Sequence, residues 1–130
     1  MKRINLSLFN NILNMCKVLH WSTHSYSKHM ALDQAYDAFK DSFDEYVECA
    51  LGIYGRESAI TTTINNKIVP EDIMISFVED EFVNFNNEVA KITGEFTQLQ
   101  SIFDDIKAAA SQLVSVSYTH LRAHETDSYL

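Results

Sequence analysis

Five side chains in the first half of the chain have the types and spacing of a cation site: His20, His29, Asp33, Asp44 and Glu48. His29 to Asp33 and Asp44 to Glu48 are each four residues apart. The step from Asp33 to Asp44 is eleven, close to three turns at 3.6 residues each. On one helix these four side chains project from a single strip. Imidazole nitrogens and carboxylates on a rigid helix suit a borderline-hard divalent cation such as iron(II), manganese(II) or zinc(II). The acids also carry a cost that a cation would offset. Asp33/Asp37, Asp37/Asp41, Asp41/Glu45 and Asp44/Glu48 are like-charge pairs at four-residue spacing. Each destabilises an isolated helix by roughly 0.2–0.5 kcal/mol, and Lys40 relieves part of this by pairing with Asp37 or Asp44. Taken singly, these residues have plainer roles: a histidine beside an apolar face is ordinarily structural, and Asp37, Asp41 and Glu45 read as a solvated face. Taken together, the five put metal binding slightly ahead of pure structure. His24 falls in a turn, where solvent exposure and a supplementary role at the site are equally compatible with its position.

Helices must position these groups. Ile4, Leu8, Ile12, Met15 and Leu19 repeat at helical spacing and predict a first helix over roughly Ile4 to Trp21. His20 ends a bordering row of Phe9, Leu13 and Cys16. The hydroxyl-rich stretch Ser22 to Ser27 supplies a turn and an N-cap. A second helix follows from about Tyr26 to Tyr54, with Gly55 as its stop. Arg56 to Val69 is a linker of 14 residues, able to span at most about 45–50 Å when extended. It fits either a long crossover along the bundle or a loose loop. Pro70, Glu71 and Asp72 suit the first turn of a third helix, carried on by Val78, Phe82, Phe85, Val89 and Ile92 to a break at Thr93-Gly94. Thr97 with Gln100 makes a capping-box pattern, and Leu99, Ile102, Ile106, Ala109 and Leu113 form the fourth stripe. Four such helices predict an all-α, antiparallel four-helix bundle.

Bulk properties agree. A chain of 130 residues supports one domain, and its three Gly and one Pro leave long elements uninterrupted. The net charge of −8, with no basic cluster beyond Lys2 and Arg3, argues against nucleic acid as a partner. Cys16 and Cys49 lack zinc-like spacing and read as packing thiols of a reducing compartment. The absence of a membrane-length apolar run or a signal-peptide core leads us to expect a cytoplasmic protein with no membrane partner. From about Ser115 the helical apolar spacing stops. SVSYTHLRAHETDSYL resembles the translation of a sequencing-library adapter. The expected division is therefore 1–114 as the helical domain and 115–130 as a non-native or disordered tail, so His120, His124 and Glu125 are left out of the chemistry.

The motif residues also carry a resemblance. Leu19-His20-Trp21, then His29-x3-Asp33, then Asp44-Glu45-Tyr46 and Glu48 resemble the Dps family of mini-ferritins. In style the stretches His20 to Ala31, Asp44 to Glu48 and Gly52 to Gly55 are similar to small ferritin-like proteins of phages and large viruses. The resemblance covers Leu19 to Tyr54. It implies a ferritin-like bundle, in a host-cell cytoplasm if viral, that binds iron and oxidises iron(II) at a site shared across a two-fold dimer interface. On that pattern His20, His29 and Asp33 come from one subunit and Asp44 and Glu48 from the other, with Trp21 packed alongside. A homo-oligomer, either a dimer or a larger shell, is implied. The His20–His29 interval is shorter than in Dps, and no arginine-containing basic continuation follows Glu48. A different reading keeps the bundle without metal, as a viral accessory or interaction module for a host protein or small molecule, or as a structural oligomer.

Overall fold

The computed structural model describes residues 2–63 and 67–123, with side chains described as far as Ser117. Asn65 and Asn66 of the linker, and His124 and Glu125 of the tail, lie outside the described residues. Four helices pack together: α1 (Ser7–Ser22), α2 (Tyr26–Tyr54), α3 (Met74–Thr93) and α4 (Thr97–Ala123). Two short strands, β1 (Ile4–Asn5) and β2 (Ala59–Ile60), pair in parallel.

The first helix starts later than its periodicity suggests. Ile4 is buried as expected, but through strand pairing and not on a helical face. The Asn5 side chain accepts the Ser7 amide at 3.0 Å, an Asx-type turn that competes with helix at this point. The Leu6 amide donates to Ile60 at 2.8 Å, and Ser7 Oγ exchanges bonds with Thr62. Helix α2 has the expected bounds. Ser25 caps it by accepting from the Lys28 amide, and Gly55 ends it at φ +94°, a conformation that side chains other than glycine's resist. The third helix begins with a 3₁₀ turn over Glu71–Ile73 before α3 proper. The expected Thr97–Gln100 box gives way to another bond, in which Gln100 Nε2 donates to the Gly94 carbonyl at 3.1 Å. Helix α4 runs on past 115, where the helical apolar spacing stops, to Ala123.

The linker takes the long crossover. Its first part, β2, pairs with β1 just before α1, while Glu71, just past its far end, meets Thr23, His24 and Lys28 at the α1–α2 turn. Helices α2 and α3 therefore start at the same end of the bundle and lie across it as a parallel pair. The neighbouring pairs are α1–α2, α2–α4, α4–α3 and α3–α1, and all run antiparallel. The core between them is aromatic. Phe9 of α1 stands 5.4 Å from each of Phe43, Tyr46 and Phe85. Phe39 extends the stack to Phe43 at 5.2 Å and to Phe82 at 5.3 Å.

One polar chain crosses this core. The Tyr46 hydroxyl donates to Thr93 Oγ1 at 2.6 Å, and Thr93 in turn donates to the Val89 carbonyl at 2.8 Å. Burial pushes the Tyr46 phenol up to about 12, so it is a neutral donor at every physiological pH. Tyr46→Phe should cost about 1–2 kcal/mol, because Thr93 loses its buried donor. Urea unfolding at unchanged slope would register this as a lower midpoint; an unaltered midpoint would mean the bond contributes nothing.

Candidate functional site

The seam between α1 and α2 holds the sequence-flagged histidines. Antiparallel packing sets His20 opposite His29 and, one rung further in, Lys17 opposite Asp33. The imidazoles of His20 and His29 stack with ring centres 3.8 Å apart and planes inclined by 19°. Each ring also bonds the other residue's backbone: His20 Nδ1 donates to the His29 carbonyl at 2.7 Å, and His29 Nδ1 donates to the His20 carbonyl at 2.9 Å. A carbonyl only accepts, so Nδ1 is the donor in both rings, and a neutral ring so bonded has its lone pair on Nε2. Donation from one ring nitrogen to a backbone carbonyl is also how metal-ligating histidines are oriented. Planes so nearly parallel do not converge their in-plane lone pairs on one point.

The remaining predicted ligands are spread along α2. The Asp33 carboxylate faces Lys17 Nζ at 3.9 Å. Asp44 and Glu48 are exposed and sit eleven or more residues beyond Asp33, about 16 Å or more along the axis. Asp44 borders a groove of about 410 Å³ between α1 and α2, with Lys40, Asp41, Leu6, Leu13 and Val47 among its walls. Lys40 makes no ion pair with Asp37 or Asp44 among the described residues. Among those residues, no three His, Cys, Asp or Glu side chains gather as a metal site. The structure thus brings His20 and His29 together and leaves Asp33, Asp44 and Glu48 separate within one chain. Trp21 is 71% exposed beside the pair, not packed against the body of the bundle. Cys16 is buried in the core, and burial pushes its thiol up to about 12, so it is an inert packing group. Cys49 is partly buried.

One polar cluster was not anticipated. The Lys28 side chain is 5% exposed and its Nζ lies 2.7 Å from Glu71 Oε2. The same carboxylate accepts from Thr23 Oγ1 at 2.9 Å and from the His24 amide at 2.8 Å. Burial alone would raise the Glu71 carboxyl. The Lys28 ammonium, the His24 amide and the Thr23 hydroxyl outweigh it and hold the group below its ordinary value. A signal for this was present in the sequence. Lys28 stands four residues before Leu32, in line with the apolar stripe, and a lysine in that place needs a buried acid. Because the folded carboxyl titrates below the unfolded one, its contribution is complete above about pH 4.5 and is lost as pH falls through the folded value. Thermal melts should therefore drop on acidification below that point, and Glu71→Gln should flatten the drop. An identical acid limb in wild type and variant would refute the assignment.

The fold and this seam define a small helical bundle with a paired-histidine end. Residues 20–118 match DUF5856, a family of unknown function, and the chain belongs to that family. No curated protein and no solved structure matches it. No helix among the described residues is long and apolar enough to cross a membrane.

Proposed function

We infer that the chain is a ferritin-like bundle that takes iron(II) at a site completed between two copies. His20, His29 and Asp33 would come from one copy, and Asp44 and Glu48 from the other. The observation that carries this reading is the pairing of His20 and His29, each Nδ1 donating to the other's backbone carbonyl, the bond by which metal-ligating histidines are oriented. The long crossover between α2 and α3 supports the ferritin-like assignment. The separation of Asp33 from Asp44 along α2 favours a second copy as the source of the missing carboxylates. Imidazoles and carboxylates form a donor set that suits iron(II), with manganese(II) and zinc(II) as competitors. Iron is the substrate here, and its oxidation by oxygen or peroxide supplies the redox chemistry. The protein's own part is to hold the donors on rigid helices and to supply negative charge from Asp44 and Glu48.

Purified protein should bind iron(II) at about one ion or more per chain, and the double variant His29→Ala/Asp44→Ala should abolish that binding. Unchanged binding in the double variant, measured by calorimetry under anaerobic conditions, would sink the idea. A second reading draws on the exposed Trp21, Tyr26 and Met30 beside the histidine end and on the solvent-facing Asp44 and Glu48. It makes the chain a metal-free interaction module on the same bundle, in a virus or its host cell. That reading predicts no iron uptake by the wild-type protein.

A further inference from the structure

The turn that joins the two histidines has neither glycine nor proline: Ser22 to Ser27 reads Ser-Thr-His-Ser-Tyr-Ser. Its residue types do not lock one backbone conformation, so its hydrogen bonds must. Two of them are local. The Thr23 amide donates to the Leu19 carbonyl at 2.9 Å, and the Ser25 amide donates to Thr23 Oγ1 at 3.1 Å. Three others leave the turn region and converge on one carboxylate. Glu71 accepts from Thr23 Oγ1, from the His24 amide and from Lys28 Nζ, and its backbone carbonyl accepts a further bond from Lys28 Nζ at 3.4 Å. Thr23 is the C-cap of α1, and Lys28 lies in the first turn of α2. Both are buried. These ties bracket the histidine pair, since Thr23 stands three residues after His20 and Lys28 directly precedes His29.

The bracketed pair has a narrow tolerance. Its rings lie 3.8 Å apart, and the two Nδ1–carbonyl bonds measure 2.7 and 2.9 Å. If the two helix ends part by about 1 Å, both bonds pass hydrogen-bond length together. We propose that Glu71 is the positioning residue of the histidine pair, its carboxylate holding the end of α1, the turn and the start of α2 in the one register at which His20 and His29 stack. Releasing that carboxylate frees the rings, so the crossover controls the seam. This rests on the seam being the site proposed above and adds control to it. The rings report on the register without any ion bound.

The test is NMR on protein labelled at histidine. Wild type should show Overhauser cross-peaks between the two rings and, in both, the nitrogen shifts of a fixed Nδ1 donor. Glu71→Ala should lose the cross-peaks and that shift pattern. If Glu71→Ala fails to fold, Glu71→Gln, which keeps an acceptor but not the charge that holds Lys28, should weaken both signatures in the same direction. Tyr46→Phe is the control: it loosens the core away from the turn and should leave both signatures at the wild-type level. Rings that stay stacked in the Glu71 variants overturn the proposal, and so does an equal loss in Tyr46→Phe, which would mark general loosening. Calorimetry with iron(II) alone tests the site apart from the positioning. Rings that respond to Glu71 in a protein whose wild type takes up no iron(II) leave the positioning standing and sink the site.

Discussion

Phe9→Ala should lower the unfolding free energy by about 3–5 kcal/mol, the range for removing a buried aromatic ring. Phe9 is the α1 member of a ring cluster whose other members, Phe43, Tyr46 and Phe85, come from α2 and α3. Its removal leaves a void bounded by three rings, each also held by other neighbours. Phe43 packs on Phe39, Phe85 packs on Phe82, and Tyr46 is tied to Thr93. None can swing into the gap without abandoning a contact of its own, so the cavity relaxes little. A domain of this size has about 5–15 kcal/mol in total, so the variant should stand near the edge of folding at 37 °C. Phe9→Leu, which refills most of the volume, should recover more than half of the loss. A loss in Phe9→Ala under about 1 kcal/mol, from urea denaturation at constant slope, would show that the rings do not act as one packed unit.

The second large effect concerns Lys28 and Glu71, and its asymmetry is the point. Glu71→Ala should cost about 2–4 kcal/mol, since it strands a buried ammonium and orphans the Thr23 hydroxyl and the His24 amide. The upper figure for a fully buried pair is discounted because the Glu71 side chain is 33% exposed. Lys28→Met should cost less. It exchanges the ammonium for an apolar side chain of similar length, and the remaining Glu71 keeps two donors and some water. The double variant Lys28→Met/Glu71→Gln should resemble Lys28→Met alone. If Glu71→Ala and Lys28→Met cost the same, the burial of the ammonium is not what makes the pair matter.

Much of this architecture was legible in the sequence wherever its causes were local. Helix α2 has the bounds that the hydroxyl-rich stretch Ser22 to Ser27, Gly55 and its stripe predict, because a cap, a glycine stop and a 3.6-residue period all act within a few residues. The start of α1 was not legible. Ile4 fits both a helical face and a strand, and the choice is made by Ala59 and Ile60, more than fifty residues away. The path of the linker was open for the same reason: the contacts that pin it, at Ile60, Thr62 and Glu71, have partners on other elements. At the candidate site, residue type and spacing singled out His20 and His29, but the stacking of their rings comes from the packing of α1 on α2. Spacing could not show that Asp33 would turn towards Lys17, because that register belongs to the packing of two helices and to neither one alone. The misplaced start of α3 has a smaller cause. Pro70 with two acids opens a first turn well, but that turn closes as 3₁₀, and the α-helix takes over at Met74.

The pinned crossover has a consequence for the order in which the molecule comes apart. The α1–α2 and α3–α4 hairpins are each stitched by contacts close in sequence, which form quickly and at small entropic cost. The segment between them is fastened at one end to residues near the chain start and at the other to the α1–α2 turn, and each fastening closes a loop of more than forty residues. Such loop closures come late in folding and open early in unfolding. Amide hydrogen exchange should accordingly divide the chain into two slow hairpins and a fast strap. The amides of Leu6, His24 and Thr62 would then exchange through an opening that leaves the Phe9–Phe43–Phe85 cluster closed.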